Sequence, residues 1–115
     1  MDQSAAPYER DGVLIIPLSG QFDVGNVGDL ERHLSEVSTG RTVLDFGDTG
    51  YIDSSILAVL IRRKKAMGAS VGFAVPKSSN VRLIFEIAGL LDVLGVDDSL
   101  DQAVKRMAEV RLEAG

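Results

Sequence analysis

Apolar residues follow two different spacings along the chain, and these predict a regular succession of strands and helices. Runs rich in β-branched and aliphatic residues at 12–20, 41–48 and 70–75 are typical of strands. Between and after them, apolar residues recur every three or four positions, as on one face of a helix. The predicted order is strand, helix, strand, helix, strand, helix, a short apolar hook and a last helix, with room for a hairpin within 8–22. This order indicates an α/β domain with a partly parallel sheet and right-handed crossovers.

Helix ends and helix faces can be assigned from the same pattern. The basic run RRKK at 62–65 lies near the end of the second helix, where positive charge interacts favourably with the negative end of the helix dipole. Gly68 is expected as the C-terminal cap of this helix. In the third helix Phe85 and Leu83 cannot both face one core, so one of them is expected at the surface. The apolar faces of the other helices are Val27, Leu30, Leu34 and Val37, then Ile56, Leu57, Leu60 and Ile61, and finally Leu100, Ala103, Val104 and Met107.

Composition and charge narrow the class of protein. The 115 residues, 45% of them hydrophobic, are enough for one domain with a real core, predicted at 8–112 behind a flexible tail at 1–7. A formal charge of −5 argues against nucleic-acid binding, which selects basic surfaces. No segment approaches the roughly 20 apolar residues of a membrane span, and the acidic, polar start does not resemble a secretory signal. We therefore expect a cytoplasmic protein without direct membrane insertion.

The residue types available also limit the chemistry. Cysteine is absent and His33 is the single histidine, so disulfides and thiolate catalysis are excluded and a structural zinc site is not expected. His33 lies in the middle of the first predicted helix, where it most simply flanks the apolar stripe at the surface. No phosphate-binding glycine loop or nucleophile elbow is present. We expect a protein that is not an enzyme and has no catalytic residue, no metal and no cofactor.

The stretch YIDSSILAVL, residues 51–60, places a polar triplet between a strand-like and a helix-like run. If the strand ends near Ile52, Ser54 lies at or beside the N-terminal cap of the helix, where a serine oxygen can accept an unpaired backbone N–H. The same position suits a phosphate, because a helix N-terminus carries partial positive charge and free N–H groups. Ser54 is therefore a capping residue, a phosphorylation site, or both.

A second acidic residue belongs to the same region. Asp23 follows SGQF in the first strand-to-helix connection, where helix capping is its simplest role. The carboxyl ends of parallel strands open at one edge of a sheet, so Asp23, Asp53 and Ser54 are expected to converge there. Such a group can bind a partner protein or, on weaker grounds, a magnesium nucleotide.

Taken together, these segments resemble the STAS domain and, within it, the anti-sigma factor antagonists of bacteria. The resemblance covers about 13–107. LSGQFDVGNVGDLERHL is similar to the family's first strand, G-x-x-D turn and helix, and TVLDFGDTGYIDSSILAVLIRRKKAMGASVGFAV is similar to its central signature. NVRLIFEIAGLLDVLGV is similar to its third helix and the following hook. The resemblance implies a STAS-like α/β fold, a mixed sheet of four to five strands with four helices.

The resemblance also implies a partner switch. In that family the serine after the aspartate, here Ser54, is phosphorylated, and the aspartate matching Asp23 belongs to the same partner-facing edge. The implied partner is an anti-sigma factor, often itself a serine kinase, and a serine phosphatase reverses the modification. The implied partner-binding residues are Asp23, Asp53, Ser54, Ser55 and Ile56.

One position departs from the family pattern. The family usually has glycine after the second serine, where this chain has Ile56. Its β-branched side chain either points inward as part of the core or points outward and impedes phosphotransfer. STAS subunits of lipid-transport complexes and of anion transporters are not phosphorylated on serine, so an accessory subunit of a transport complex is the alternative function. A small-molecule or nucleotide sensor is a third and weaker hypothesis.

Overall fold

The computed structural model describes the backbone of residues 6–37 and 40–111, and their side chains except those of 36 and 37. Most of the predicted tail, at 1–5, and the last residue of the predicted domain, 112, lie outside the described residues. The strands are β1 (Tyr8–Arg10), β2 (Val13–Pro17), β3 (Gly20–Phe22), β4 (Thr42–Asp45), β5 (Thr49–Ile52), β6 (Val71–Ala74) and β7 (Val96–Asp97). The helices are α1 (Val27–Val37), α2 (Ser54–Met67), α3 (Asn80–Ile87), α4 (Leu91–Leu94) and α5 (Leu100–Ala108).

The main sheet has five strands in the order β1-β2-β4-β6-β7. β1 pairs antiparallel with β2, and the other neighbours are parallel, so the sheet is mixed as predicted. β1 and β2 form the expected hairpin. Its turn places Asp11 and Gly12 at positive φ of 55° and 78°, which matches the backbone twist of a tight hairpin. The described residues form five α-helices, one more than predicted, because the apolar hook contains the short helix α4.

A second sheet of two strands, β3 and β5, lies beside the main one. The two strands are parallel, and Phe22 pairs with Ile52 at their carboxyl ends. The sequence pattern does not predict this sheet: it indicates one strand at 12–20 and one at 41–48, and no separate strand at 49–52. Asp23 directly follows Phe22 and Asp53 directly follows Ile52, so this pairing brings the two aspartates together at one end of the sheet. This sheet therefore sets the geometry of the candidate site.

Helices cover both faces of the main sheet, and the strand residues alternate between them. Ile16 and Leu44 face the larger apolar cluster, which includes residues of α1, α2 and α3. Ile15 and Val43 face a smaller cluster with α5. In the larger cluster the rings of Phe46 and Phe85 meet edge to face, with centroids 5.5 Å apart. The chain thus forms two apolar layers around one sheet.

The predicted helix faces and caps agree with the structure where it describes them. Phe85 is fully buried while Leu83 is 57% exposed, so one of the two does face solvent. Gly68 caps α2 with a φ of 60°, and its N–H donates to the carbonyl of Lys64. The Val37 side chain, expected on the apolar face of α1, lies outside the described part. The faces of the remaining helices are buried or half-buried as expected.

Both edges of the main sheet are formed by very short strands. β1 has three residues, including the charged Glu9 and Arg10, and β7 has two residues, ending at Asp97. β7 begins at Val96, which pairs with Phe73. Within the part of the chain that the structure describes, no strand therefore lies beside the first two residues of β6 on that side.

Candidate functional site

Asp53 is the N-terminal cap of α2. Its backbone is extended, with φ −117° and ψ −176°, and one carboxylate oxygen, Oδ1, accepts the N–H of Ser55 at 3.0 Å. The same oxygen accepts the hydroxyl of Ser55. Aspartate is a favoured capping residue because it satisfies a backbone donor that has no partner in the helix. Ser54 therefore lies beside the cap, as the first residue of the helix, and does not itself provide the capping oxygen.

The second oxygen of Asp53 connects α2 to the loop that follows β3. Oδ2 accepts the N–H of Val24 at 3.0 Å. Within that loop, Oδ1 of Asp23 accepts the N–H of Gly25 at 2.8 Å, and Oδ1 of Asn26 accepts the N–H of Asp23 at 2.8 Å. The prediction that Asp23 and Asp53 converge at one edge is confirmed. Asp23 shapes its own turn, however, and does not cap a helix.

These hydrogen bonds favour the ionised form of Asp53. The bond donated by the Ser55 hydroxyl is the largest cause that lowers the pKa of Asp53 below its ordinary value of 3.8, and desolvation opposes it. The backbone N–H groups of Val24, Ser55 and Ile56 lower it further. Asp53 therefore carries a full negative charge at neutral pH while it joins two loops. Its role is to hold the loop of Asp23 against the tip of α2.

Three consecutive residues at the start of α2 have different environments. Ser54 is exposed, and within the described part of the chain its hydroxyl has no hydrogen-bond partner. Ser55 is half-buried and bonded to Asp53. Ile56 is fully buried in the larger apolar cluster. The expectation that Ile56 contacts a partner is therefore wrong, because its side chain has no exposed surface; the structure supports the inward alternative.

Two exposed apolar residues near this edge were not singled out from the sequence. Val24, next to Asp23, is 75% exposed, and Tyr51 on β5 is 46% exposed. Recognising β5 as a strand would have indicated Tyr51, since strand residues alternate between faces. His33, expected at the surface, is instead half-buried, and its Nε2 has no partner among the described residues. It lies on α1, outside the hydrogen-bonded group around Asp53.

The described ranges also bear on ligand chemistry and on membranes. Between 6–37 and 40–111, no group of three or more histidine, cysteine, aspartate or glutamate side chains is arranged to hold a metal ion. None of the helices in these ranges combines the length and the hydropathy that a membrane span requires. Both oxygens of Asp53 and Oδ1 of Asp23 accept hydrogen bonds from backbone or hydroxyl donors. The arrangement therefore presents one free hydroxyl beside two ordered loops.

Comparison with known proteins places the chain in a family. The STAS domain model matches residues 4–103, and the chain belongs to the STAS domain family. No curated protein matches its sequence.

Solved structures share the fold at low sequence identity. An anti-sigma factor antagonist from Mycobacterium paratuberculosis is 21% identical with a TM-score of 0.81, over 90% of this chain and 92% of its own. A putative anti-sigma factor antagonist from Thermotoga maritima is 16% identical with a TM-score of 0.76, over 89% and 92%. The Bacillus cell fate determinant SpoIIAA in its phosphorylated form is 17% identical with a TM-score of 0.58, over 88% and 96%. These likenesses establish the common architecture.

Proposed function

We propose that the protein is an anti-sigma factor antagonist that exchanges partners according to the phosphorylation of Ser54. The observation that carries the proposal is the exposed hydroxyl of Ser54 at the first position of α2. Asp53 provides the cap, so modification of Ser54 removes no capping interaction. Membership of the STAS family and the fold shared with anti-sigma factor antagonists support the same function.

The buried position of Ile56 favours this function over an accessory subunit of a transport complex. The accessory-subunit alternative depends on the possibility that the side chain of Ile56 blocks access to Ser54. Because Ile56 is fully buried, it adds no bulk around the hydroxyl of Ser54. The isoleucine in place of glycine then adds to the core and does not widen the tip of α2 that a kinase cleft would have to enclose.

The electrostatics of this edge explain how phosphorylation would release a partner. A phosphoryl group adds about −1.5 to −2 charge and, at a helix N-terminus, is compatible with the helix itself. The edge already carries Asp23 and Asp53, so a partner that docks here meets a dense negative charge after modification. Converting a mostly formed complex to a mostly dissociated one requires about 5 kcal/mol of differential binding. Two effects together supply this difference in binding free energy: the loss of packing between the partner and the exposed Val24, and the repulsion between like charges.

The partners of this switch follow from its chemistry. The unmodified protein binds an anti-sigma factor that is a serine kinase, and binding frees a sigma factor. The kinase transfers a phosphoryl group to Ser54 and the complex separates, after which a serine phosphatase restores the hydroxyl. The cycle operates in the cytoplasm and needs no cofactor on this chain.

Incubation with the candidate kinase and ATP tests the proposal directly, with Ser54→Ala and Ser55→Ala as a matched pair. Intact mass should show one added phosphoryl group on the wild type and on Ser55→Ala, and none on Ser54→Ala. Ser54→Ala should also bind the kinase in the presence of ATP, whereas Ser54→Asp should bind it weakly. A kinase that binds the wild type without phosphorylating it, or that modifies Ser55, would contradict the proposal.

A further inference from the structure

A cavity of about 150 Å³ lies far from Ser54, between the last turns of α2 and α5. Lys64 of α2 lines it, and Lys64 follows Ser54 by ten residues of helix, which corresponds to about 15 Å along the axis. Arg106 and Met107 of α5 form another wall. The cavity is therefore separate from the Ser54 edge, and the inference from it does not depend on the proposed function.

The cavity exists because β7 is short. β7 begins opposite Phe73, so Val71 and Gly72 at the start of β6 border open space. Gly72 also allows the α5 side chain to approach, since a Cβ there would stand only 2.9 Å from Cε of Met107. Leu94 completes the apolar part of the lining. A cavity of about this volume in an engineered protein holds a molecule of the size of benzene.

The charged residues of the lining are unbalanced. Arg106 donates to the carbonyl of Gly95 at 3.2 Å and forms an ion pair with Asp97. None of the ion pairs formed within 6–37 and 40–111 includes Lys64. Among the described lining residues, two cations and one carboxylate leave one positive charge in excess at the cavity.

Lys64 is held in an unfavourable environment. Burial lowers the pKa of its ammonium group below the ordinary 10.5, and the positive charge of Arg106 lowers it further. An anion placed beside Lys64 would offset both effects, because it supplies an opposite charge and an acceptor where water is partly excluded.

We propose that this cavity binds a small organic carboxylate. Its carboxylate pairs with Lys64 beside Arg106, and its apolar part packs against Val71, Leu94 and Met107. The single excess charge matches a monoanion, and the apolar lining matches a short hydrocarbon or a single ring. Inorganic phosphate fits less well, because it carries more charge and has no apolar part to fill the cavity.

Titration of the full chain with benzoate, followed by amide chemical shifts, tests the proposal. Benzoate should give saturable shifts at Gly72 and Gly95, while benzyl alcohol, which lacks the charge, and inorganic phosphate should bind more weakly. Lys64→Met should weaken benzoate binding at least about tenfold, the effect of losing one charge-assisted hydrogen bond. Lys65→Met, which changes the adjacent exposed lysine, should leave the affinity unchanged.

Four outcomes would overturn the proposal, three from the titrations and one from a lysine variant. The first is the absence of saturable shifts with benzoate, and the second is equal binding of benzyl alcohol, which would indicate a purely apolar cavity. The third is tighter binding of phosphate than of benzoate. If Lys64→Met does not fold, Lys64→Arg replaces it and should retain binding, because the charge is kept; loss of binding by a folded Lys64→Arg would count against the proposal.

Discussion

The charged groups at the two ends of helix α2 have opposite environments: the N-terminal carboxylate is paired within the protein, and the C-terminal ammonium group is not paired within the described residues. At the N-terminal end, Asp53 uses both carboxylate oxygens on donors of the protein itself. At the C-terminal end, Lys64 is partly buried beside Arg106 and forms no ion pair within the described residues. The first end is satisfied internally and leaves only the Ser54 hydroxyl available. The second end keeps a charge that has no ion-pair partner among residues 6–37 and 40–111.

This difference distinguishes a charged group that positions loops, Asp53, from a charged group that is available to a ligand, Lys64. Asp53 lies between the two elements of the candidate site, yet its hydrogen bonds show that it orders the loops. Lys64 lies in a run of basic residues that would ordinarily be read as solvated charges at a helix end. Its environment, more than its residue type, marks it as a binding group. Three substitutions test the contrast between these ends, in order of decreasing effect.

The largest effect is expected from Ile56→Gly, which restores the glycine of the family pattern at the N-terminal end. Removal of a fully buried isoleucine creates a cavity, and glycine adds a helix penalty, so the free energy of unfolding should fall by about 4 kcal/mol. Urea denaturation measures it. Ala58→Gly, at an exposed position of the same helix, is the control and should cost only about 1 kcal/mol. Equal losses in the two variants would show that Ile56 is not a core residue.

A smaller, pH-dependent effect is expected from Asp53→Asn. The folded-state pKa of Asp53 is lowered, chiefly by the Ser55 hydroxyl, so its charge stabilises the fold above the ordinary pKa of 3.8. The advantage of the wild type over Asp53→Asn should therefore be present at neutral pH. It should disappear as the pH falls from 3.8 through the lower pKa of the folded state.

Urea denaturation at a series of pH values measures this difference, and Asp48→Asn, a change at an exposed carboxylate, serves as the control. A difference between wild type and Asp53→Asn that stays constant from neutral to acid pH would contradict the hydrogen-bonded role of the carboxylate.

The smallest effect, of opposite sign, is expected from Lys64→Met. The folded-state pKa of Lys64 is lowered by burial and by Arg106, so its charge opposes folding at neutral pH. The variant should have a slightly higher Tm than the wild type. The difference should shrink as the pH rises through the folded-state pKa toward 10.5, because the wild-type lysine then loses its charge. Lys65→Met should leave Tm nearly unchanged, and a lower Tm for Lys64→Met would contradict the unfavourable environment.

The sequence predicted the elements that repeat their pattern over several turns. α1 and α2 have enough residues for helical spacing to be visible, and the central strands are continuous apolar runs. The elements that the sequence did not predict have only two to four residues each: β3, β5, β7 and α4. Such elements are too short for the repeat of a strand or a helix to be visible in the spacing of apolar residues. Their pairing depends on distant parts of the chain, so local sequence does not specify it.

The candidate site was predictable in location and less so in detail. The rule that parallel strands end at one edge predicted that Asp23 and Asp53 converge, although the strands that bring them together, β3 and β5, were not predicted. The identity of the cap was not predictable, because aspartate and serine are both good capping residues and the choice depends on β5 ending at Ile52. Helical spacing had already placed Ile56 in the apolar stripe, and the structure shows that this was the better of its two interpretations. The cavity near Lys64 arises from a short strand, which no local pattern reveals.

The short edge strands of the main sheet have a further consequence for the behaviour of the protein at high concentration. A long apolar edge strand is a template for intermolecular β-pairing and aggregation. Here β1 is brief, carries charged residues and covers β2, while β7, which ends at Asp97, covers only the second half of β6. A chain shortened through Arg10 would expose β2, with its sequence VLIIP, as a new edge. The N-terminal hairpin thus acts as a barrier to self-association as well as a part of the fold.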